Sequence, residues 1–201
     1  FLKRERHPMK TRIILPDTEG ISEAGAILRD GGLVAFPTET VYGLGANALD
    51  AVATKHIYEA KGRPSDNPMI VHVASIDMLN GVASDVTDEQ KAIMSKLWPG
   101  PITFVLRKNP NVPDVTTGGL DTVAVRWPAR REAAEIIEAA GVPIAAPSAN
   151  LSGKPSPTTF EDVVEDMDGR IDAIVKGERA AIGIESTVLD LTSEVPTILR
   201  P

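Results

Sequence analysis

Ile21-Ser-Glu-Ala-Gly-Ala-Ile-Leu-Arg29, then Asp30-Gly31-Gly32, then Leu33-Val-Ala-Phe36 carries the alternation on which the fold turns. Ile21, Ala24 and Leu28 recur at helical spacing, the glycine pair stops the helix, and four uninterrupted apolar residues read as a buried strand. The same pattern repeats outward in both directions. Strand-like runs rich in apolar and β-branched residues occur at 12–15, 33–36, 69–73, 102–106, 123–127, 144–146, 171–175, 187–191 and 197–199. Helical patterns occupy 21–29, 51–60, 88–97 and 130–140; capping boxes at Thr87-x-x-Gln90 and Thr158-x-x-Glu161 open the third helix and a further one reaching about Met167. Strands alternating with helices mean an α/β fold, here a single domain over residues 9–201. Residues 1–8 are polar, begin without Met and read as a tag remnant or disordered arm.

Composition removes several kinds of function. There is no Cys among the 201 residues and only three scattered His, which excludes thiolate metal sites, a Cys nucleophile and disulfides, argues against a catalytic metal cage, and makes the cytoplasm the expected compartment. No apolar run approaches the length of a membrane span. Net charge is −7, yet Lys3, Arg4, Arg6, Lys10 and Arg12 crowd the start, leaving 16 basic against 27 acidic residues in the rest, a balance of −11. That charge, together with 4% aromatic residues, opposes non-specific nucleic-acid binding by phosphate neutralisation and base stacking.

Glycine and proline cluster at 36–45, 61–68, 98–101, 109–119 and 147–157, mostly at strand ends, where open α/β sheets place ligands, so five loops can line one cleft. Within the first, Gly43-Leu-Gly45-Ala-Asn-Ala48 matches the dinucleotide pattern, but six residues separate it from the strand that must feed it, so it reads as a decoy. No P-loop is present. Thr38, Glu39, Thr40 and Tyr42 bring hydroxyls and a carboxylate to one turn; Thr38 fits local capping as well as ligand contact, whereas Thr40 favours the ligand. Lys61 and Arg63, if extended, project to one side as a point charge beside a planar fork, suited to phosphate or carboxylate. The segment 147–158 follows an apolar strand with hydroxyls, amides and Lys154 before a helix start, a ready anion site. His72, Ser186 and Arg200 carry little weight from local sequence alone.

The ordered set PTETVYGLG (37–45), KGRPSDNPMIVHV (61–73), WPGPITFVL (98–106), VAVRWP (123–128), PIAAPSANLSGKPSPT (143–158), GIESTVLD (183–190) and ILRP (198–201) resembles the Sua5/YciO/YrdC family of L-threonylcarbamoyladenylate synthases. The resemblance implies a twisted mixed sheet with flanking helices around a concave groove. It also implies a nucleotidyltransferase that makes threonylcarbamoyl-AMP and pyrophosphate from L-threonine, bicarbonate and ATP, with Mg2+ accompanying the nucleotide. The product would serve modification of adenosine 37 in tRNA, reached indirectly through a downstream threonylcarbamoyl transferase, and the chain is expected to act as a monomer. The family's paired signature KxR and SxN falls on Lys61, Arg63, Ser148 and Asn150, implying catalytic roles. By the same resemblance Thr40, His72, Arg126, the backbone of Ala146 and Ser186 surround threonine, while Arg63, Asn67, Thr122, Ser148, Ser156 and Arg200 hold ATP.

The sequence departs from the family after Pro128, where Ala129-Arg130-Arg131 replaces the usual His-Pro, and it stops at Pro201, where two-domain relatives continue into a linker and a second domain. A linker able to close over ATP would make this chain's nucleotide binding the weaker. Two alternatives stay open: a carbamoyl-AMP-forming domain, and an RNA-binding module of the same fold without catalysis.

Overall fold

The computed structural model describes residues 9–62 and 67–201. The first eight residues and Arg63 therefore lie outside the described part. In chain order the elements are β1 (Arg12–Ile14), α1 (Thr18–Arg29), β2 (Val34–Pro37), β3 (Tyr42–Asn47), α2 (Ala51–Ala60), β4 (Ile70–His72), α3 (Ile76–Val82) and α4 (Asp88–Leu97). They continue with β5 (Ile102–Arg107), α5 (Asp114–Thr117), β6 (Thr122–Arg126), α6 (Arg131–Ala140), β7 (Ile144–Ala145), α7 (Phe160–Met167), β8 (Ala173–Val175), β9 (Thr187–Asp190) and β10 (Thr197–Arg200). The described strands form one mixed sheet of ten in the order β1-β8-β2-β3-β7-β4-β6-β5-β9-β10, the α/β class expected.

Alternation along the strands sorts side chains onto two faces, each covered by helices. Val34 and Phe36 join one core cluster with Ile21, Ala24 and Leu28 of α1 and Ala133, Ile136, Ile137 and Ala140 of α6. Ala35, between them, joins the other cluster, with Tyr42 and Leu44 of β3, Ile57 of α2, Leu79 of α3, Met94 of α4 and Met167 of α7. Helices α1 and α6 touch closely because position 25 is glycine: a Cβ there would lie 2.7 Å from the backbone of Ala139 and Ala140.

Three expectations change. The stretch after Tyr42, read as a glycine-rich turn, is a strand antiparallel to β2, with Phe36 opposite Gly43 and Val34 opposite Gly45. Glycine serves there because the backbone passes close to its neighbours; a Cβ on Gly45 would sit 2.7 Å from the Phe36 ring. This also explains why the dinucleotide pattern is a decoy: its glycines lie inside a strand. The Thr87–Gln90 capping box forms as expected, but the last cap is Thr159, which accepts from the Asp162 amide, one residue beyond the expected Thr158. Lys61 is not extended: it caps α2 in helical conformation, and Gly62 follows at φ +87°, so the same-side projection of Lys61 and Arg63 does not hold at its first member. Among the described residues no helix is long and apolar enough to cross a membrane.

Candidate active site

The register of the central strands assembles the site. β4 runs parallel to β6 and sets His72 beside Arg126; β5 lies antiparallel on the far side of β6 and sets Thr103 against Arg126; β9 runs parallel to β5, with Thr103 level with Val188. A cleft of about 290 Å3 opens over this row, bounded by Thr38, Thr40 and Gly43 on one side, Ala146 to Ser148 on another, and Glu185, Ser186 and Arg200 on a third.

Arg126 is the fixed point of the cleft. Its Nε donates to the Gly100 carbonyl at 3.2 Å, one terminal nitrogen donates to Thr40 Oγ1 at 2.8 Å, and the other pairs with Glu39 Oε1. Glu39 Oε2 in turn accepts from the Ala129 amide at 2.6 Å. The pair is shielded, the side chains being 4% and 13% exposed. Burial lowers the Arg126 pKa, and the Glu39 carboxylate opposes that. A guanidinium has five N–H donors, so these three contacts leave one on each terminal nitrogen, a fork for a carboxylate.

His72 is buried against this cation, and burial first, then Arg126, push its pKa down to about 3. The ring is neutral throughout the ordinary pH range, with Nδ1 donating to the Ile70 carbonyl at 3.2 Å. On the opposite wall Ser186 Oγ lies 2.7 Å from Thr103 Oγ1 and accepts from Arg200 at 3.3 Å. Arg200 also donates to the Ser186 carbonyl at 2.8 Å and to Glu185 at 2.5 Å, and Ser156 donates to the other Glu185 oxygen at 3.1 Å.

An adjoining recess of about 210 Å3 shares Asn67, Pro68, Met69, Pro147 and Ser148 with the cleft and reaches Lys61 and Asn150. Lys61 Nζ donates to the Ser148 carbonyl, to the Asn150 carbonyl at 3.0 Å and to Asn150 Oδ1 at 3.5 Å. Burial brings its pKa down to about 8, against the opposing pull of Glu185 and Asp166. Asn150 Nδ2 spends its donors on the Leu151 and Lys154 carbonyls, each at 2.9 Å. Lys61 and Asn150 thus stitch the end of α2 to the turn that carries Ser148.

The comparisons with known proteins agree with one another. The Sua5/YciO/YrdC model, described as "Telomere recombination", matches residues 26–201. The chain belongs to the Sua5/YciO/YrdC family. It is 57% identical over 178 residues to a threonylcarbamoyl-AMP synthase of Pyrococcus abyssi and 54% identical over 183 residues to one of Bacillus subtilis, covering 89% and 90% of this chain. It spans about half of those relatives, 52% and 53% of their lengths. The crystal structure of P. abyssi Sua5 complexed with L-threonine matches with a TM-score of 0.92 at 54% identity, covering 95% of this chain and 57% of that one.

Of the residues that the Sua5/YciO/YrdC resemblance implied, Thr40, His72, Arg126, Ala146 and Ser186 all line the one cleft, together with Asn67, Ser148 and Arg200. Ser156 reaches it only through Glu185. Thr122 stands at the other end of β6 and lines a separate recess of about 550 Å3 with Asp85, Arg107 and Asp121. Arg63 is outside the described residues. Of the five loops expected to converge, 36–45, 61–68 and 147–157 contribute to the wall; 98–101 stands behind it through the Gly100 carbonyl, and 109–119 contributes none of the lining. Sequence reasoning passed over Thr103 and Glu185. Thr103 was visible only as a lone hydroxyl in the apolar run ITFVL, and Glu185 as the neighbour of Ser186.

Proposed function

We propose that this chain forms threonylcarbamoyl-AMP and pyrophosphate from L-threonine, bicarbonate and ATP, in the cytoplasm, and that the product reaches tRNA through a downstream threonylcarbamoyl transferase. The observation that carries the reading is the gathering of Thr40, His72, Arg126, Ala146 and Ser186 around one cleft, in a chain so similar to a protein whose structure was determined with L-threonine.

In this reading the two unspent N–H groups of Arg126 hold the threonine carboxylate, and Thr40 and Ser186 meet its hydroxyl. The neutral His72 adds no charge to repel the ammonium group. The amine, once deprotonated, attacks bicarbonate and water leaves, giving the carbamate. A carbamate oxygen then attacks the α-phosphorus of ATP, and the bond to the β-phosphate oxygen breaks to release pyrophosphate. Arg200, Ser148, Asn67 and, through Glu185, Ser156 border the space for the nucleotide; the family resemblance assigns Arg63 to it as well, whereas Thr122 lines a separate recess at the other end of β6 and is left out of this reading. Lys61 and Asn150 shape the Ser148 turn, and the Lys61 ammonium brings positive charge near the reacting phosphate, where charge develops in the transition state. Magnesium bound with the nucleotide would neutralise the charge of the triphosphate, and Glu185 is the carboxylate on the cleft wall.

The test is to incubate the protein with ATP, magnesium, bicarbonate and L-threonine. Threonine-dependent pyrophosphate release and a threonylcarbamoyl-AMP mass are expected. Carbamoyl phosphate replacing threonine and bicarbonate would indicate a carbamoyl-AMP-forming domain, and salt-sensitive RNA binding without turnover would indicate a binding module.

A further inference from the structure

Two hydroxyls face the cleft, Thr40 and Ser186, and each is backed by a second threonine that the cleft chemistry does not touch directly. Counting shows which hydrogen positions are fixed, because a hydroxyl has one proton to give and a carbonyl has none.

Thr38 Oγ1 lies 2.7 Å from the Val41 carbonyl, which can only accept, so the Thr38 proton goes there. The two Thr38 lone pairs already face the Thr40 and Val41 amides at 3.2 and 3.3 Å, so counting assigns no donor to the 3.0 Å contact between Thr38 and Thr40. Thr40 accepts from Arg126, and the direction of its own proton is set by no count.

On the other wall Thr103 is fully buried, and among the described residues its hydroxyl has one partner, Ser186 Oγ at 2.7 Å. A buried O–H without an acceptor is costly, whereas an unused lone pair is tolerated, so Thr103 donates. Ser186 accepts from Thr103 and from Arg200, and its own hydrogen is left over. Ser186 is a donor.

We propose that Thr103 is a positioning residue that fixes the proton direction on Ser186, so that this wall of the cleft is preset to donate to a group that accepts. A hydroxyl is such a group, a methyl is not, and the Thr103–Ser186 pair therefore supplies discrimination for a β-hydroxy amino acid. This rests on the threonine reading above for the identity of the ligand, though the proton direction stands on the protein alone. A site built around a polar pair rejects the apolar isostere because the pair is then left unsatisfied.

Neutron diffraction from deuterated, ligand-free crystals reads the direction. The deuteron of Thr103 aimed at Ser186 is expected, and its reversal overturns the proposal. Calorimetric titration reads the consequence. In Thr103→Val the Ser186 hydroxyl loses its guide, and L-threonine affinity is expected to fall about fivefold, the worth of one oriented hydrogen bond, with L-valine unchanged and Thr103→Ser restoring threonine. Equal weakening of threonine and valine in Thr103→Val would mean a merely structural residue and would also overturn it. The deuteron as assigned in a wild-type protein that binds no threonine would uphold the proton direction and refute the threonine reading instead.

Discussion

Arg126 and Arg200 line the same cleft from opposite situations. Arg126 ends a central strand, is 3% exposed, and is held by a carbonyl from one segment and a hydroxyl and a carboxylate from another. Arg200 sits on the edge strand, where the register shifts between Ile198 and Arg200, and its ion pair with Glu185 leaves the two side chains 38% and 43% exposed. The first is preorganised and cannot move without stranding a buried carboxylate. The second can leave its partner for a better anion at little cost, since water already competes for the contact. In the proposed reaction a rigid fork suits the small ligand that must be placed for attack, and an adaptable one suits a triphosphate whose reacting end changes.

The contrast breaks most visibly at Arg126. Arg126→Ala leaves Glu39 unpaired in a shielded position, and urea unfolding should show a loss of about 3 kcal/mol, the scale for half-removing a buried ion pair. Threonine affinity should fall more than about a hundredfold as the carboxylate fork and the Thr40 contact go together. A variant of near wild-type stability would mean that Glu39 simply turns to solvent and that Arg126 is no more fixed than Arg200.

Lys61 extends the comparison to pH. Its folded-state pKa of about 8 predicts a rate of adenylate formation that declines above that pH by about tenfold per unit as the ammonium that binds the Ser148 turn is lost. Lys61→Arg should remain active to higher pH, and a decline unchanged in that variant would assign it elsewhere. For stability the sign is opposite. Between pH 8 and the ordinary lysine value the unfolded chain holds more protons than the folded one, so Lys61 makes folding more favourable as pH rises through that window. Thermal melts of Lys61→Met should lack that rise.

Arg200→Ala should weaken a non-hydrolysable ATP analogue about tenfold while leaving threonine affinity nearly unchanged, and should alter stability by no more than about 0.5 kcal/mol. Loss of threonine binding would show that Arg200 acts through Ser186. The smallest effect is expected for Glu185→Gln, which frees Arg200 from its carboxylate. The analogue should bind about threefold tighter, the scale of an exposed ion pair, and weaker binding would instead make Glu185 a nucleotide contact by way of magnesium.

How legible these features were depended on how local their cause is. Helices α2 and α4 fell on the residues expected because Asp50 and Thr87 cap them and their apolar stripes are regular. β3 was hidden because Gly43 and Gly45 have poor strand propensity, and the reason they are tolerated, the Phe36 ring and Ala146 passing close by, lies elsewhere in the chain. α3 breaks its pattern with Asn80 and Gly81, and α5 is a single turn. In the site, the clustered loops pointed to a cleft, but Ser186 and His72 became candidates only through the family resemblance. Their chemistry comes from register across the sheet, His72 beside Arg126 and Thr103 against Arg126, which no window of sequence contains.

The sheet order sets a schedule for the newborn chain. β8, residues 173–175, is the strand that joins β1 to β2, pairing in parallel with both. During synthesis, therefore, β1 has no sheet neighbour among the described strands until residues 173–175 have emerged, and Ser186 and Arg200, which complete the cleft, arrive later still. Such distant pairing is slow to form and leaves apolar strands waiting. A ribosome-bound intermediate halted before residue 173 should offer Ile14 and Val34 to chaperones, and the capacity to bind substrate should appear only as the last strand joins the edge.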